Sequence, residues 1–506
     1  MNSDKLDNSF YSQKIDDKYN ILNRSIGIDK QTKFLSTRII ESTNIISGDS
    51  LNGQYLTFNF TVSPSAYIDW NKSVMEIGFK FTNYNNTAVV SNSSIPWNLL
   101  LYIFEEVKIK FNSSVVYNKI AGEYLETQTF KLLTEYTNDE LNASDIVFAP
   151  VGDYNYHVGL ENGYGFEVGF TLREGAPNTV VYKDKAGEDP NAKLRFYNWI
   201  SNLPESRGRV FYKRPTFKEL FFDMPGFSKN LRNVTIEVKL KDKIPLPSIL
   251  NKAANQEDIM IIRSMKLQLH EYNYSPEMAM SSLNNKINSE IEHVSFIDVS
   301  KQDRIYNPYL SIPSKENVQW VAVTQFCHNV SSKIGGFNEG KYQNCGQFLL
   351  MNGYAEQAAN AAVNNLIHRT DLPPTFNENP PRLGTRCFAT ISSIQAQYGN
   401  VLYPSNAIDT GIDDSPTLLK TDELYNEYKK AVGFKNPAVP PDVFRRTMPF
   451  FLVKFTPNLK LVKTGDIIIR MPGFKGAANT GNKIVSIIYG QIKSFNILPS
   501  GIVNIV

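Results

Sequence analysis

The stretch Phe104-Glu-Glu-Val-Lys-Ile-Lys-Phe-Asn-Ser-Ser-Val-Val-Tyr117 reads as a strand, and a helix-like segment, Glu123 to Tyr136, follows it. The basic strand Val210-Phe-Tyr-Lys-Arg-Pro-Thr-Phe217 comes next. The same order returns in the other half of the chain. There Cys387-Phe-Ala-Thr-Ile-Ser-Ser-Ile-Gln-Ala-Gln-Tyr-Gly-Asn-Val-Leu-Tyr403 precedes Thr421 to Val432, and then Val443-Phe-Arg-Arg-Thr-Met-Pro-Phe450. A long-period repeat of β-units predicts duplication: two related β-domains in one chain.

Length agrees with this. A chain of 506 residues exceeds the size, about 250–300 residues, at which one hydrophobic core stops growing. The hydrophobic fraction of 42% and charged fraction of 20% are those of a folded soluble protein, and 26 Tyr with 31 Phe favour β-structure. Working outward from the repeat, Gln54 to Val62 and Ser73 to Asn83 alternate apolar and polar residues, the period of half-buried antiparallel strands. Further strands are expected at Leu99 to Tyr117, Phe166 to Arg173, Gly208 to Asp223, Val234 to Leu240 and Ile259 to Tyr272. In the second half they are expected at Glu292 to Val299, Val318 to Phe326, Gly346 to Met351, Thr385 to Leu402, Phe450 to Phe455, Asp466 to Met471 and Asn482 to Phe495. Ala355 to His368 carries apolar residues at helical spacing and predicts a short packing helix, with a loop through Pro373, Pro374, Pro380 and Pro381 after it.

The expected fold class is all-β, two tandem sandwiches with short helices in loops. Residues 1–48 form an N-terminal arm, 49–280 the first sandwich and 281–506 the second. Residues 149–199, rich in Gly, Asn, Asp and Pro, make a long surface insertion in the first sandwich; the matching gap in the second, Gly433 to Asp442, is short.

Charge excludes one class of function. A formal net charge of +3 gives no long-range field to concentrate nucleic acid, and the arm balances its cations against its anions, so no specific nucleic-acid site is expected. Three cysteines, Cys327, Cys345 and Cys387, without CxxC spacing, predict small buried apolar residues in a reducing compartment. The start of the chain lacks an apolar leader core, and no stretch approaches the roughly 18 apolar residues of a membrane span.

Motifs that could carry chemistry each lack a part. Gly335-Gly-Phe-Asn-Glu-Gly340-Lys341 meets half of a phosphate-binding loop, but Tyr342 stands where a Ser or Thr hydroxyl would hold magnesium, so a glycine turn is expected. Cys327 adjoins His328, and Cys345 lies upstream of His368 and Asp371; neighbours on a strand point to opposite faces, so the first pair cannot easily work together. The histidines, His157, His270, His293, His328 and His368, have no metal-ligand spacing. Asp409, Asp413 and Asp414 share a loop without EF-hand spacing and read as a solvated acidic loop, with ion binding left open. Lys213 and Arg214, with Arg445 and Arg446, sit among Val, Phe and Pro and are expected in edge-strand or inter-subunit salt bridges. No catalytic, cofactor-binding or metal-binding residue is assigned, and no enzyme activity is expected.

With its paired strand, helix and basic strand, and the run Ile394-Gln-Ala-Gln-Tyr-Gly-Asn-Val-Leu-Tyr-Pro404, the chain resembles the double jelly-roll major capsid proteins of the virophage and Polinton-like group. The resemblance covers about residues 50 to 506. It implies two eight-stranded jelly rolls side by side, a homotrimeric capsomer of hexagonal outline, neighbouring capsomers with penton and minor capsid proteins as partners, and a place in the virion after assembly inside the host cell. It implies no catalytic residues. The insertion at 149–199 would then form part of an outer tower and the arm would run along the inner shell face. Some relatives carry a further C-terminal region removed by a viral cysteine protease; this chain ends at Val506, straight after its last expected strand. Two other readings stand beside this one: a β-sandwich carbohydrate-binding or carbohydrate-active protein, and a viral spike or vertex protein.

Overall fold

The fold is that of a computed structural model, which describes residues 32–44, 49–62, 66–83, 98–120, 123–148, 171–172, 180–181, 210–223, 231–244, 258–274, 292–305, 307–327, 393–409, 421–433, 436–441, 444, 450–455, 464–472, 484–498 and 500–505. In the first half the strands are β1 (Thr32–Glu41), β2 (Tyr55–Thr61), β3 (Ala66–Asn83), β4 (Phe104–Phe111), β5 (Ser114–Lys119), the two-residue pair β6 (Thr171–Leu172) and β7 (Val180–Val181), then β8 (Phe211–Lys213), β9 (Asn233–Leu240) and β10 (Asp258–Tyr274). In the second half they are β11 (Glu292–Ile305), β12 (Tyr309–Glu316), β13 (Val318–Cys327), β14 (Ser393–Tyr398), β15 (Val401–Asp409), β16 (Phe451–Lys454), β17 (Thr464–Arg470), β18 (Ile484–Ile497) and β19 (Val503–Ile505). The helices among the described residues are α1 (Leu99–Tyr102), α2 (Glu123–Glu135), α3 (Asn138–Ala143), α4 (Phe217–Leu220) and α5 (Thr421–Val432).

All strand pairings are antiparallel, and the sheet orders repeat. One sheet of the first half runs β1-β10-β3-β8 and the other β2-β9-β4-β5; the second half runs β11-β18-β13-β16 and β12-β17-β14-β15. Leaving aside the small β6–β7 pair and the short β19, which pairs with the end of β18, both halves order their eight strands first-eighth-third-sixth and second-seventh-fourth-fifth. That order is the jelly roll, and this chain contains it twice.

Alternation builds each sheet. Along β2, Leu56, Phe58 and Phe60 are buried while Thr57 and Asn59 turn outward, and along β9 Val234, Ile236, Val238 and Leu240 are buried in the same way. Trp70 then packs on Phe217 at a tilt and Phe217 meets Phe221 edge to face in the first core, with ring centroids 4.8 and 4.9 Å apart. In the second core Tyr398 stacks on Phe455 at 5.0 Å.

Several sequence expectations need correction. Leu99 to Tyr117 is not one strand: Leu99–Tyr102 is helical, and the rest is a hairpin whose turn residues Asn112 and Ser113 have φ of 46° and 77°. Two consecutive positive φ values make the turn whose twist matches its strands. Thr385 to Leu402 likewise contains a hairpin, β14 and β15, turning at Gly399, where φ is 57°. Gly208 to Asp223 stops being a strand at Lys213, because Thr216 and Glu219 form a capping box that starts α4. In the second copy Phe444 is helical and the sixth strand begins at Phe451; the rest of Val443 to Pro449 lies outside the described residues. The strand β12 was not expected at all. Thr32–Glu41, expected in the N-terminal arm, pairs along β10 as β1; residues 1–31 lie outside the described residues. Most of the 149–199 insertion, the strand at Gly346 to Met351 and the helix at Ala355 to His368 lie outside the described residues.

Candidate functional site: the seam between the two sandwiches

The two jelly rolls meet where α2 and the end of β5 lie against β11 and β18. β5 ends one sheet of the first half and β11 ends one sheet of the second, and α2, which follows β5, lies against β11 and β18. An open strand edge presents unpaired N–H and C=O groups and needs cover. Here side chains of the first sandwich supply it: Lys119 Nζ donates to the Val299 carbonyl at 2.7 Å, and the backbone N–H of Lys301 donates to Glu123 Oε1 at 3.3 Å.

Around these contacts lies a cluster of charges in which Lys119, Asp298, Lys301 and Glu126 are buried in the seam while Lys493 and Asp303 are partly exposed at its rim. Lys119 and Asp298, each 3% exposed, pair at 2.9 Å, with Glu123 3.7 Å from the same ammonium. Lys493 of β18 pairs with the other Asp298 oxygen. Lys301 reaches Glu126, which is fully buried, at 2.7 Å and Asp303 at 3.0 Å. Glu123 and Glu126 sit in the first turn of α2, where the helix N-terminus favours negative charge. In a low-dielectric seam each charge depends on its partners, because an uncompensated buried ion costs several kcal/mol, of order 3–5 when one partner of a pair is removed.

Aromatic side chains continue the seam on both sides of the ion cluster. Phe222 stacks on Phe296 of β11 at 4.3 Å, and Phe495 of β18 meets Phe111 edge-on at 5.7 Å. Farther along α2, Phe130 meets Phe450 at 5.2 Å, and Tyr428 of α5 donates to the Leu133 carbonyl at 2.8 Å. That carbonyl belongs to the last turn of α2, where carbonyls lack partners within the helix. Asn138 adds bonds to the Asn436 and Ala438 carbonyls at 3.2 and 2.8 Å, and Asn112 Nδ2 donates to the Gly501 carbonyl at 2.8 Å. Burial raises the hydroxyls of Tyr117, Tyr124 and Tyr428 well above their ordinary pKa of 10.0, so all three stay neutral.

The residues singled out in the sequence are not brought together. Lys213 is buried on the edge strand β8, donating to the Val147 carbonyl at 2.8 Å, and burial lowers its pKa. Arg214 pairs with Glu76 at 2.7 Å. Both therefore make contacts within the first sandwich. His270 lies on β10 and His293 on β11, in different sheets, and Cys327 ends β13. Asp409 ends β15 and is exposed. Arg445, Arg446, Asp413, Asp414, the Gly335 to Lys341 loop, Cys345, Cys387, His157, His328, His368 and Asp371 lie outside the described residues. Among the described residues no group of His, Cys, Asp and Glu is placed to hold a metal ion, and no helix is long and apolar enough to cross a membrane.

No protein-family model matches the chain, and no curated protein matches it in sequence. Solved structures are similar at low identity. A chain of the Sputnik virophage cryo-EM structure has a TM-score of 0.48 at 10% identity, covering 94% of this chain and 89% of its own. A chain of the PBCV-1 virus capsid has a TM-score of 0.44 at 10% identity, covering 94% and 97%. The mavirus major capsid protein has a TM-score of 0.43 at 10% identity, covering 93% and 90%.

Proposed function

We propose that this chain is the major structural subunit of an icosahedral viral shell, working by self-association and not by catalysis. The observation behind the reading is the repeated strand order joined by a buried seam. Jelly rolls also build lectin and cupin domains, so fold alone does not choose among these uses. Two like blocks held side by side in one chain do favour a shell. Three chains about a threefold axis then present six comparable blocks, the number that hexagonal packing needs, and cyclic closure leaves no unmatched face.

In this reading the chain divides into an N-terminal segment, a first jelly roll ending near residue 280 and a second running to 506. The residues near 149–199 project outward, and neighbouring capsomers, penton proteins and minor capsid proteins are the partners. The shell is assembled inside the infected host cell. The mavirus protein is a major capsid protein, and this chain would have the same role.

Mass measurement of the purified chain, followed by electron microscopy, tests this. The expected result is a homotrimer that persists on dilution, with hexagonal particles or sheets at high concentration. A stable monomer at micromolar concentration, with no trimer at any salt tried, overturns the reading. Sugar binding or hydrolysis by that monomer would favour the carbohydrate-binding alternative.

A further inference from the structure

We propose that Lys119 and Glu123 act as a strand-edge lock: they occupy backbone groups of β11 from the first sandwich, couple the two jelly rolls into one unfolding unit and keep β11 from pairing with a strand of a second copy. Three observations converge on these two residues. Among the described residues β11 is the outermost strand of its sheet, with β18 as its only sheet neighbour. Its Val299 carbonyl and Lys301 N–H, two residues apart and therefore on the same side of the strand, both bond to first-sandwich side chains. Lys119 is anchored in turn by Asp298 of β11 itself, so the lock holds the strand through side chain and backbone together.

The default expectation for two domains in one chain is relative motion and separate unfolding, unless the interface between them is large and apolar. This seam adds to its aromatic contacts a polar closure that neither jelly roll can make alone. Without the first sandwich, β11 would present a bare edge bordered by Phe296, a template for strand addition. Without the second, Lys119 would lose Asp298 and Glu126 would lose Lys301.

The test compares three variants of the full chain: Lys119→Met and Glu123→Leu, which break the lock, and Lys493→Met, which removes a partner of Asp298 but no bond to the β11 backbone. Thermal unfolding is followed by calorimetry, and hydrogen exchange by mass spectrometry on peptides spanning 296–305. The wild-type chain should unfold in one transition. Each lock variant should show two, with exchange across β11 faster by roughly tenfold or more and with concentration-dependent association as the exposed edge pairs. Lys493→Met should unfold earlier yet in a single transition. Should a lock variant fail to fold, Glu123→Ala, which also removes the acceptor of the Lys301 N–H, is read by exchange alone, with faster exchange in β11 expected. The proposal falls if the lock variants keep one transition and wild-type exchange, or if Lys493→Met splits the transition as they do.

Discussion

The helices α2 and α5 hold the same place in the two jelly rolls, the connection from the fifth strand to the sixth, and differ in almost everything else. Every residue of α2 from Tyr124 to Leu133 is buried, including Glu126 and Lys131. In α5 only Leu424, Tyr425 and Tyr428 are, while Asp422, Glu423, Asn426, Lys429 and Lys430 face out. The cause is position. α2 is wedged between the sandwiches against β11 and β18, whereas α5 packs one face on β16 and only touches α2. Duplication of a fold thus gives two equivalent helices, one of them enclosed by the seam and the other meeting it through Tyr428 while its opposite face stays exposed.

The sharpest way to break this comparison is to remove charge from the α2 side. Lys301→Met leaves the fully buried Glu126 without its lysine, and the expected loss is about 3–5 kcal/mol of stability. Urea unfolding of the trimer or monomer, whichever the chain forms, reads it from the midpoint at constant slope. Adding Glu126→Gln to the same chain should return much of the loss, since the stranded charge is then gone. A loss below about 1 kcal/mol would place the seam ions on a par with surface pairs and remove the distinction drawn between the helices.

The duplication and both helices were legible in the sequence; the seam was not. Alternation along Leu56, Phe58 and Phe60 marks a strand whatever lies beyond the sheet, and the same holds for the apolar residues of α5. The hairpin at Gly399-Asn400 carried a usable signal, because Gly-Asn between strand-forming runs is a turn pair. Asn112-Ser113 carried a weaker one. Nothing local distinguishes Glu126 from Glu427, although one is fully buried and the other lies on the outward helix. Burial of a charge depends on a partner supplied from about 175 residues away, as Lys301 is for Glu126, and periodicity cannot register a contact at that separation. The cationic pair at Lys213 and Arg214 was read correctly as salt-bridging, but its partners, Asp145 and Glu76, lie within its own sandwich.

Alkaline titration sharpens the comparison from the side where the two helices agree. Tyr124 of α2, Tyr428 of α5 and Tyr117 of β5 all have folded pKa values raised by burial above the ordinary 10.0. Up to pH 10 both folded and unfolded forms are neutral and nothing is lost. Above it the unfolded tyrosines shed protons that the folded ones keep, so stability falls as pH rises, by up to about 1.4 kcal/mol per tyrosine per pH unit. Lys131 and Lys213 act in the opposite sense below their ordinary 10.5, because their folded pKa values are lowered and the unfolded chain binds more protons there. The expected profile therefore rises gently toward pH 10 and collapses beyond it. The part of the tyrosinate absorbance that comes from the buried tyrosines should appear in one cooperative step if α2 and α5 belong to one core. Two separated steps would mean that the helices open independently.

The smallest effect is the control on the outward helix. Lys430 pairs with Glu427 at 2.6 Å, but its side chain is 72% exposed, against 7% for Lys301. In water the attraction of such a pair is screened, and holding two long side chains in one geometry costs entropy, so a helix pair of this kind contributes at most about 0.5 kcal/mol. Lys430→Ala also replaces a good helix former with a better one, which offsets part of that. Its urea midpoint should match the wild-type chain within error, at the same protein concentration and in the same salt. The two lysines make ion pairs of nearly equal length, so a difference between their variants isolates burial as the cause. A loss at Lys430 comparable to that at Lys301 would mean that α5 is covered in the working protein, by another copy or another part of the chain, and that the asymmetry between the helices is not a property of the assembled state.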